Sequence, residues 1–340
     1  MTDDGGRNGR LRAPPGRGCV RVRTGARVHF GFGNLSLAHR RLYGGIGAGL
    51  AEPGVSLEAA PAEDVDAPDV FREHAERSVA RLGVDGVRVA VSTRLPEHVG
   101  LGSGTQHALA VHAGVAAANG IDPDPRAAAP ALGRGSRSGV GVATFEDGGI
   151  VVDAGHPSSR FTADPPPDGS WSVPHPVARH RPPEEWRVLL VTPAVEPGRA
   201  GSEEDTAVRS VVEDADPGIA DRIAGVVTRE LLPAVVEGDL STFGESIETV
   251  SRLNGAWFAD QQGGVYRPAV APVVESLSSA TPVEGAGQSS WGPTVFGITA
   301  VQRADRAREA GRRALDRADV DGTVRLVPFA RDGARVERVD

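Results

Sequence analysis

Two α+β domains side by side are what this sequence predicts, and three observations carry that expectation. The chain has 340 residues, more than a single core usually organises when a domain takes roughly 100 to 200. Residues 156–185 are rich in Pro, Ser, His and Arg with no sustained period, which predicts a long surface connection between a domain at 19–165 and another at 186–340. On both sides of that break, strand-like and helix-like segments alternate in a mixed order.

Residues 1–18 offer almost nothing to bury and are predicted to be a disordered tail. The stretch 19–32, CVRVRTGARVHFGF, alternates apolar and polar positions as a half-buried strand does, and RLYGGIGAGLAEPGVSLEAA (41–60) continues as Gly-rich strand or loop and then strand. In 68–82 the apolar residues Val70, Phe71, Ala75, Val79 and Leu82 fall near a 3.6 period, an amphipathic helix. GVRVAVSTRLP (86–96) is a strand, and 97–120 is a Gly-rich turn running into an Ala/Val-rich helix that ends at Asn119 and Gly120. A loop and short helix fill 122–135. GVGVATFEDGGIVVDAG (139–155) reads as two strands joined at Asp147-Gly148-Gly149. In the second half WRVLLVTPAV (186–195) is a buried strand, 203–255 is helical, and 268–280 is a helix opened by Pro268. A glycine-rich turn beside an apolar strand (283–300), a charged helix (303–319) and a last strand (322–330) complete the order.

Composition narrows the function. Acidic residues number 45 against 37 basic, a net charge of −8, and no basic block marks a footprint for nucleic acid or anionic lipid. All the basic residues are Arg; there is no Lys, as codon bias or a salty cytosol would also produce. A Lys-dependent phosphate loop and Schiff-base chemistry are thereby excluded. The lone Cys19 permits no internal disulfide or thiolate zinc cluster, the start MTDDGGRNGRLRAPPGRG shows no apolar segment for export, and no run approaches the roughly 18 apolar residues of a membrane span. A cytoplasmic protein is the expectation.

Three segments can carry chemistry. In Leu95–Gln106 the residues Gly100, Leu101, Gly102, Ser103, Gly104, Thr105 and Gln106 stand where a strand gives way to a helix; glycines allow close backbone approach and the helix start suits a phosphate. An ordinary turn with a Ser or Thr cap accounts for the same residues. In 133–142, GRGSRSGVGV, Arg134 and Arg137 present planar forks for phosphate oxygens, with Ser138 beside them, or else belong to a solvated loop. In 285–293, GAGQSSWGP, small residues around Gln288, Ser289 and Ser290 leave amides open beside Trp291, which is either a pocket wall or a core indole. His29, His98 and His107 fall near these segments, and no histidine pair has zinc-hydrolase spacing. Glu97, Glu146, Asp147 and Asp153 are the carboxylates considered for Mg²⁺.

PEHVGLGSGTQHALAV resembles the phosphate-loop motif of the GHMP superfamily of small-molecule kinases, and GAGQSSWGPTVFG resembles its C-terminal glycine motif. Together with ARVHFGF, GGIGAGL, GRGSRSGVGVATFEDGGIVVDAG and WRVLLV, over most of residues 20–330, the chain resembles the β-ribofuranosylaminobenzene 5′-phosphate synthase family. The resemblance implies an N-terminal domain with a left-handed βαβ unit, a ferredoxin-like C-terminal domain and an active site between them. It also implies a reaction, the joining of phosphoribosyl pyrophosphate to 4-aminobenzoate or 4-hydroxybenzoate with loss of CO₂ and pyrophosphate, on the route to methanopterin. Mg²⁺ and a homodimer are implied with it.

One departure from the kinase pattern bears on the chemistry. GHMP kinases usually carry an Asp after Ser-Gly-Val/Ile as base for the attacked hydroxyl, and here Gly141 stands in that place. Ribosyl transfer asks instead for stabilisation of a departing diphosphate, with Gly100 to Gln106, Arg134 and Arg137 gripping it and His29, Gln288, Ser289, Ser290 and Trp291 around the aromatic acid. Two alternatives stand beside it. One is an ATP-dependent kinase using Asp153 or Glu146 as base; the other is a non-catalytic nucleotide or phosphosugar sensor.

Overall fold

A computed structural model describes residues 11–162, 167–198 and 202–339. The proposed tail lies outside the described residues up to position 10. From Ala13 onward the segment has no regular structure but is tied down: Ala13 N–H donates to Asp122 and Arg17 to Asn119. Gly18 N–H reaches Ala118 O at 2.9 Å.

The first half builds a mixed sheet. β1 (Val20–Asn34) and the long β2 (Arg41–Ala62) pair antiparallel, β3 (Val65–Asp66) runs parallel to β4 (Gly86–Thr93), and β4 pairs with β2. α1 (Asp69–Leu82) lies between β3 and β4, burying Phe71 and Ala75. α2 (Ser103–Ala118) is buried along nearly its whole length, so its sequence shows a run of Ala and Val rather than a stripe. α3 (Pro125–Ala128) is capped by Asp124, whose side chain accepts from Ala127 N–H.

Two sequence expectations fail here. Residues 140–147 are a helix, α4 (Val140–Asp147), not the first strand of a hairpin, and β5 (Ile150–Asp153) follows it. Val140 through Phe145 are all buried, so the Val-x-Val spacing that mimics a strand is the interior packing of a helix without a polar face. The 156–185 connection is not all loop. β6 (His156–Pro157) pairs with β2, and β7 (Pro176–His180) pairs with β5.

The second half is a four-stranded antiparallel sheet in the order β11-β8-β10-β9, formed by β8 (Trp186–Pro193), β9 (Gly285–Gln288), β10 (Val295–Ala300) and β11 (Gly322–Pro328). This is the βαββαβ order of a ferredoxin-like domain. Its first crossover holds α5 (Ser202–Asp214), α6 (Pro217–Val226), a π turn at Val227–Leu231, α7 (Leu232–Glu237), α8 (Leu240–Trp257), α9 (Ala259–Gln262) and α10 (Ala271–Ser278). Its second is α11 (Ala304–Arg317). The last strand, β12 (Arg335–Arg338), returns to the first sheet and pairs with β1.

The two halves share a core at α8. Phe243 of α8 stacks on Trp186 at 4.8 Å between centroids, while Phe30 of β1 meets Phe296 of β10 edge-on at 5.1 Å. Aromatic packing of this kind fixes one sheet against the other and holds the faces of a cleft at a set distance.

Candidate active site

The cleft encloses a cavity of ≈ 510 Å³ that runs from α1 past the start of α2 to the end of α8. Its floor is the predicted glycine turn. Gly100 and Gly102 have φ of +92° and +74°, conformations that favour glycine. Gly102 is the N-cap of α2, so no side chain caps the helix, and no acidic residue lies in its first turn. The positive end of α2 and its free N–H groups therefore face the cavity without a built-in counter-charge. The alternative of an ordinary turn with a Ser or Thr cap does not hold, because Gly102 occupies the cap position.

Arginines flank this helix start on two sides. A Cβ on Gly102 would lie 2.7 Å from Arg27 Cγ, and one on Gly104 would lie 2.9 Å from Arg134 Nη1. Arg27 makes long contacts to Gly100 O (3.3 Å) and Ser290 Oγ (3.4 Å), and burial pushes its guanidinium down to about 10. Burial also lowers Arg134, whose Nε has no hydrogen-bond partner. Neither arginine pairs with a carboxylate among the described residues, so both are desolvated cations lining the cavity beside the helix start.

Arg27 was not among the residues singled out from sequence, where it reads as one solvent-facing position of an alternating strand. The strand is in fact bulged on both sides of it, with register shifts between Gly25 and Arg27 and between His29 and Gly31. Bulges re-aim side chains, and these two turn Arg27 and His29 together into the cleft. His29 lines the cavity, and its Nε2 is buried without a hydrogen-bond partner. Burial first, then Arg27 and Arg137, hold its imidazole neutral, well below the usual histidine range.

The second glycine motif clamps the first. Ser289 Oγ donates to Gly100 O at 2.7 Å and accepts from His29 N–H at 3.1 Å, while Thr294 N–H reaches Val99 O at 3.2 Å. Ser289 is thus a buried strut rather than a wall, which corrects the expectation that it touches the aromatic acid. Gln288 lines the cavity, but its amide is engaged by Arg267 N–H (3.0 Å) and Ser290 O (2.9 Å). Ser290 and Trp291 line it too, Trp291 packing edge-on against Phe258 at 4.9 Å.

Of the glycine-turn residues, Gly100, Gly102, Ser103, Gly104 and Thr105 line the cavity. Leu101 and Gln106 do not. Leu101 is buried, and the Gln106 side chain bridges Thr24 Oγ1 and Gly141 O at 2.9 Å each, fastening β1 to α4. His98 lines the cavity, whereas His107 accepts from Leu95 N–H behind it. At the α8 end, sequence reasoning missed Ser251, Asn254, Phe258 and Tyr266. The available signal was the polar spacing of Ser251 and Asn254 on a helix face that is otherwise apolar.

The carboxylates proposed as kinase bases are tied down. Asp153 accepts from Gly139 N–H (2.7 Å), Gly155 N–H (2.8 Å) and Ser138 Oγ (3.2 Å), and burial raises it to about 6. It anchors the 133–142 loop from behind, and through it Ser138 at the cavity edge. Glu146 forms a two-pronged ion pair with Arg126. Asp147 sits beside Arg179 at 3.6 Å. Arg137 does reach the cavity, but its guanidinium is held by Glu204 (2.9 Å) and Asp205 (3.2 Å) of α5.

No cluster of three or more His, Cys, Asp or Glu is placed to hold a metal among the described residues. Glu97 and Ser103 both line the cavity. That donor set fits a hard cation carried on substrate phosphates and touched by one or two protein oxygens, not a caged resident ion. No helix among the described residues is long and apolar enough to cross a membrane.

A two-domain fold with a glycine-floored anion cleft defines the class, and similarity to known proteins agrees. Residues 69–149 match the GHMP kinases N terminal domain, and 231–317 match the GHMP kinases C terminal family. Among solved structures, homoserine kinase from Cytophaga hutchinsonii aligns with TM-score 0.60 at 17% identity, over 96% of this chain and all of that one. L. major mevalonate kinase in complex with R-mevalonate aligns with TM-score 0.65 at 16% identity, covering 94% and 99%. These likenesses show the fold. Sequence similarity goes further: the beta-ribofuranosylphenol 5′-phosphate synthase of Methanothermobacter thermautotrophicus is 35% identical over 301 residues, 82% of this chain and 88% of that one. The protein of the same name from Archaeoglobus fulgidus is 31% identical over 287 residues, with the same coverage. The chain belongs to the beta-ribofuranosylphenol 5′-phosphate synthase family and is an enzyme of the GHMP superfamily.

Proposed function

We propose that this enzyme is a pentosyl transferase that condenses phosphoribosyl pyrophosphate with a para-substituted benzoic acid, 4-hydroxybenzoate or 4-aminobenzoate, releasing CO₂ and pyrophosphate in methanopterin-type pterin synthesis. The observation that carries the reading is the pair Arg27 and Arg134, two desolvated guanidiniums without carboxylate partners on either side of an uncapped helix start. The name of the relatives, beta-ribofuranosylphenol 5′-phosphate synthase, puts 4-hydroxybenzoate first.

The chemistry needs a grip on negative charge and no general base. The bond from ribose C1 to the diphosphate breaks with its electron pair going to pyrophosphate, where Arg27, Arg134 and the α2 N–H groups stabilise it. The ring carbon bearing the carboxylate supplies the pair for the new carbon–carbon bond. The carboxylate then leaves as CO₂, and the pair it leaves behind restores the aromatic ring, so no proton has to be removed from carbon. Neutral His29 adds no positive charge beside the cationic ribosyl carbon. Glu97 and Ser103 would hold a Mg²⁺ borne by the diphosphate, which when bound offsets phosphate charge.

Phosphoryl transfer to an alcohol fits less well, because Asp153 and Glu146 are both engaged away from the cavity. The cytoplasm is the compartment we assign, in keeping with one free cysteine, Cys19. The test is incubation with Mg²⁺, phosphoribosyl pyrophosphate and carboxyl-labelled 4-hydroxybenzoate or 4-aminobenzoate. Labelled CO₂ that requires both substrates is expected; no release with either acid would overturn the reading.

A further inference from the structure

The two ends of the cavity differ in chemistry. At the α1 end stand Asp69, Glu73, His74 and Glu97, a lining that disfavours a flat apolar ring and a second carboxylate. The opposite end has aromatic walls, Phe258 and Trp291 crossing edge to face at 4.9 Å. There the half-buried Tyr266 lines the cavity together with Ser251 of α8, and burial raises its phenol above the ordinary range so that it stays neutral.

Tyr266 is held firmly in that place. The next residue, Arg267, donates its N–H to Gln288 Oε1 at 3.0 Å and its guanidinium to Trp291 O at 3.3 Å. On the other side a Cβ at Gly255 would lie 2.0 Å from Val265 O, so α8 and this loop are in backbone contact. The same turn, 288–292, is seated on Gly100 of the phosphate floor, where a Cβ would meet Ser289 O at 2.3 Å. Anion grip, aromatic walls and tyrosine are therefore linked by rigid contacts.

We propose that Tyr266, backed by Ser251, receives the para hydroxyl or amino group of the acceptor and selects for acids that carry one. This rests on the synthase reading above. The carboxyl-bearing ring carbon must face the ribosyl carbon, whose diphosphate is gripped beside Gly102 and Gly104. The para substituent lies across the ring from that carbon and so points away from the glycine floor, toward the hydroxyl pair at the aromatic end. During bond formation the para oxygen or nitrogen feeds electron density into the ring and becomes more acidic. Its O–H or N–H then donates more strongly to a neutral hydroxyl oxygen. Tyr266 acts here as a specificity-determining residue that also favours the attacking form of the ring.

The experiment compares wild type with Tyr266→Phe and Ser251→Ala in two assays. In turnover, Tyr266→Phe is expected to raise KM for 4-hydroxybenzoate about tenfold, the weight of one hydrogen bond, with KM for phosphoribosyl pyrophosphate unchanged. In calorimetry with inorganic pyrophosphate present, wild type should bind 4-hydroxybenzoate more tightly than plain benzoate, and Tyr266→Phe should erase that difference while binding benzoate as wild type does. Equal loss for both acids would make Tyr266 a wall only and overturn the proposal, as would an unaltered KM. Should wild type release no CO₂, the synthase reading fails by itself. The calorimetric comparison then decides this one, and failure of wild type to distinguish the two acids overturns it. Ser251→Ala, which leaves the ring of Tyr266 in place, is expected to give a smaller loss of the same discrimination.

Discussion

Arg137 and Glu204, which both line the cavity, are joined at 2.9 Å, with Asp205 on the other prong of the guanidinium at 3.2 Å. The loop arginine is thus neutralised by α5, while Arg27 and Arg134 are not. A diphosphate entering the cleft competes with two carboxylates for Arg137. Glu204→Gln is expected to lower KM for phosphoribosyl pyrophosphate a few-fold by easing that competition. Arg137→Ala should lower turnover on the order of 10²-fold, the scale of one lost transition-state stabiliser. Steady-state kinetics on both variants check this, and unchanged turnover in Arg137→Ala would remove it from the mechanism.

Arg27 carries a different expectation because no carboxylate pairs with it among the described residues, and Glu204 acts on it only through its charge. Its side chain lies against Gly102 and reaches Gly100 O and Ser290 Oγ with long contacts. Arg27→Ala should cost on the order of 10²-fold in kcat/KM for phosphoribosyl pyrophosphate. Arg27→Lys should recover part of it, since an ammonium keeps the charge but not the planar fork. Equal kinetics for Ala and Lys would show that charge at this position is irrelevant.

Gly100 and Gly104 separate folding from function. Gly100 has φ +92°, and its added Cβ would strike the Ser289 backbone carbonyl at 2.3 Å. Gly100→Ala is expected to destabilise the protein by about 1–3 kcal/mol or more, as strained backbone with an immovable neighbour does. At Gly104 the obstacle is Arg134 Nη1 at 2.9 Å, the far end of a flexible side chain. Gly104→Ala should leave the thermal midpoint nearly unchanged while lowering turnover by displacing Arg134. Thermal unfolding alongside the CO₂-release assay tests the contrast; parallel losses in both variants would contradict it.

How much of this was legible in the sequence follows from where each signal resides. The glycine turn at 100–104 and the 285–293 turn were readable because φ > 0 and close backbone approach leave a compositional mark. Arg134 and Arg137 were readable from their Gly/Ser setting, though their unlike neutralisation depends on α5, which the local string cannot contain. Arg27 was hidden because its role comes from two bulges that ordinary alternation does not announce. α4 was misread because full burial removed its polar face. Gln106 looked like part of the phosphate grip, but the helix turns its side chain to the rear, onto Thr24 and Gly141. β12 is four residues long, and its pairing with β1 spans nearly the whole chain, a contact no local pattern encodes.

The buried histidines set the response to acid. His74, His107 and His112 are each lowered to about 4, foremost by burial, and His29 and His156 are lowered as well. A folded-state pKa below the unfolded value of 6.5 means the unfolded chain takes up these protons first, so stability falls as the pH drops from about 6.5 to 4. Asp153, raised to about 6 by burial, and Glu146, also raised, act in the opposite direction over part of that window, two groups against five. His112 isolates the effect, since it is 2% exposed on α2, with Nδ1 unpartnered and away from the cavity. Its shift is worth roughly 3 kcal/mol once the pH is below about 4. Wild type should therefore lose thermal stability steadily from pH 6.5 downward, and His112→Leu should lose it less steeply. The two melting curves would converge, or cross, as acid is added. Curves that shift in parallel at every pH would show that His112 does not stay neutral in the folded protein.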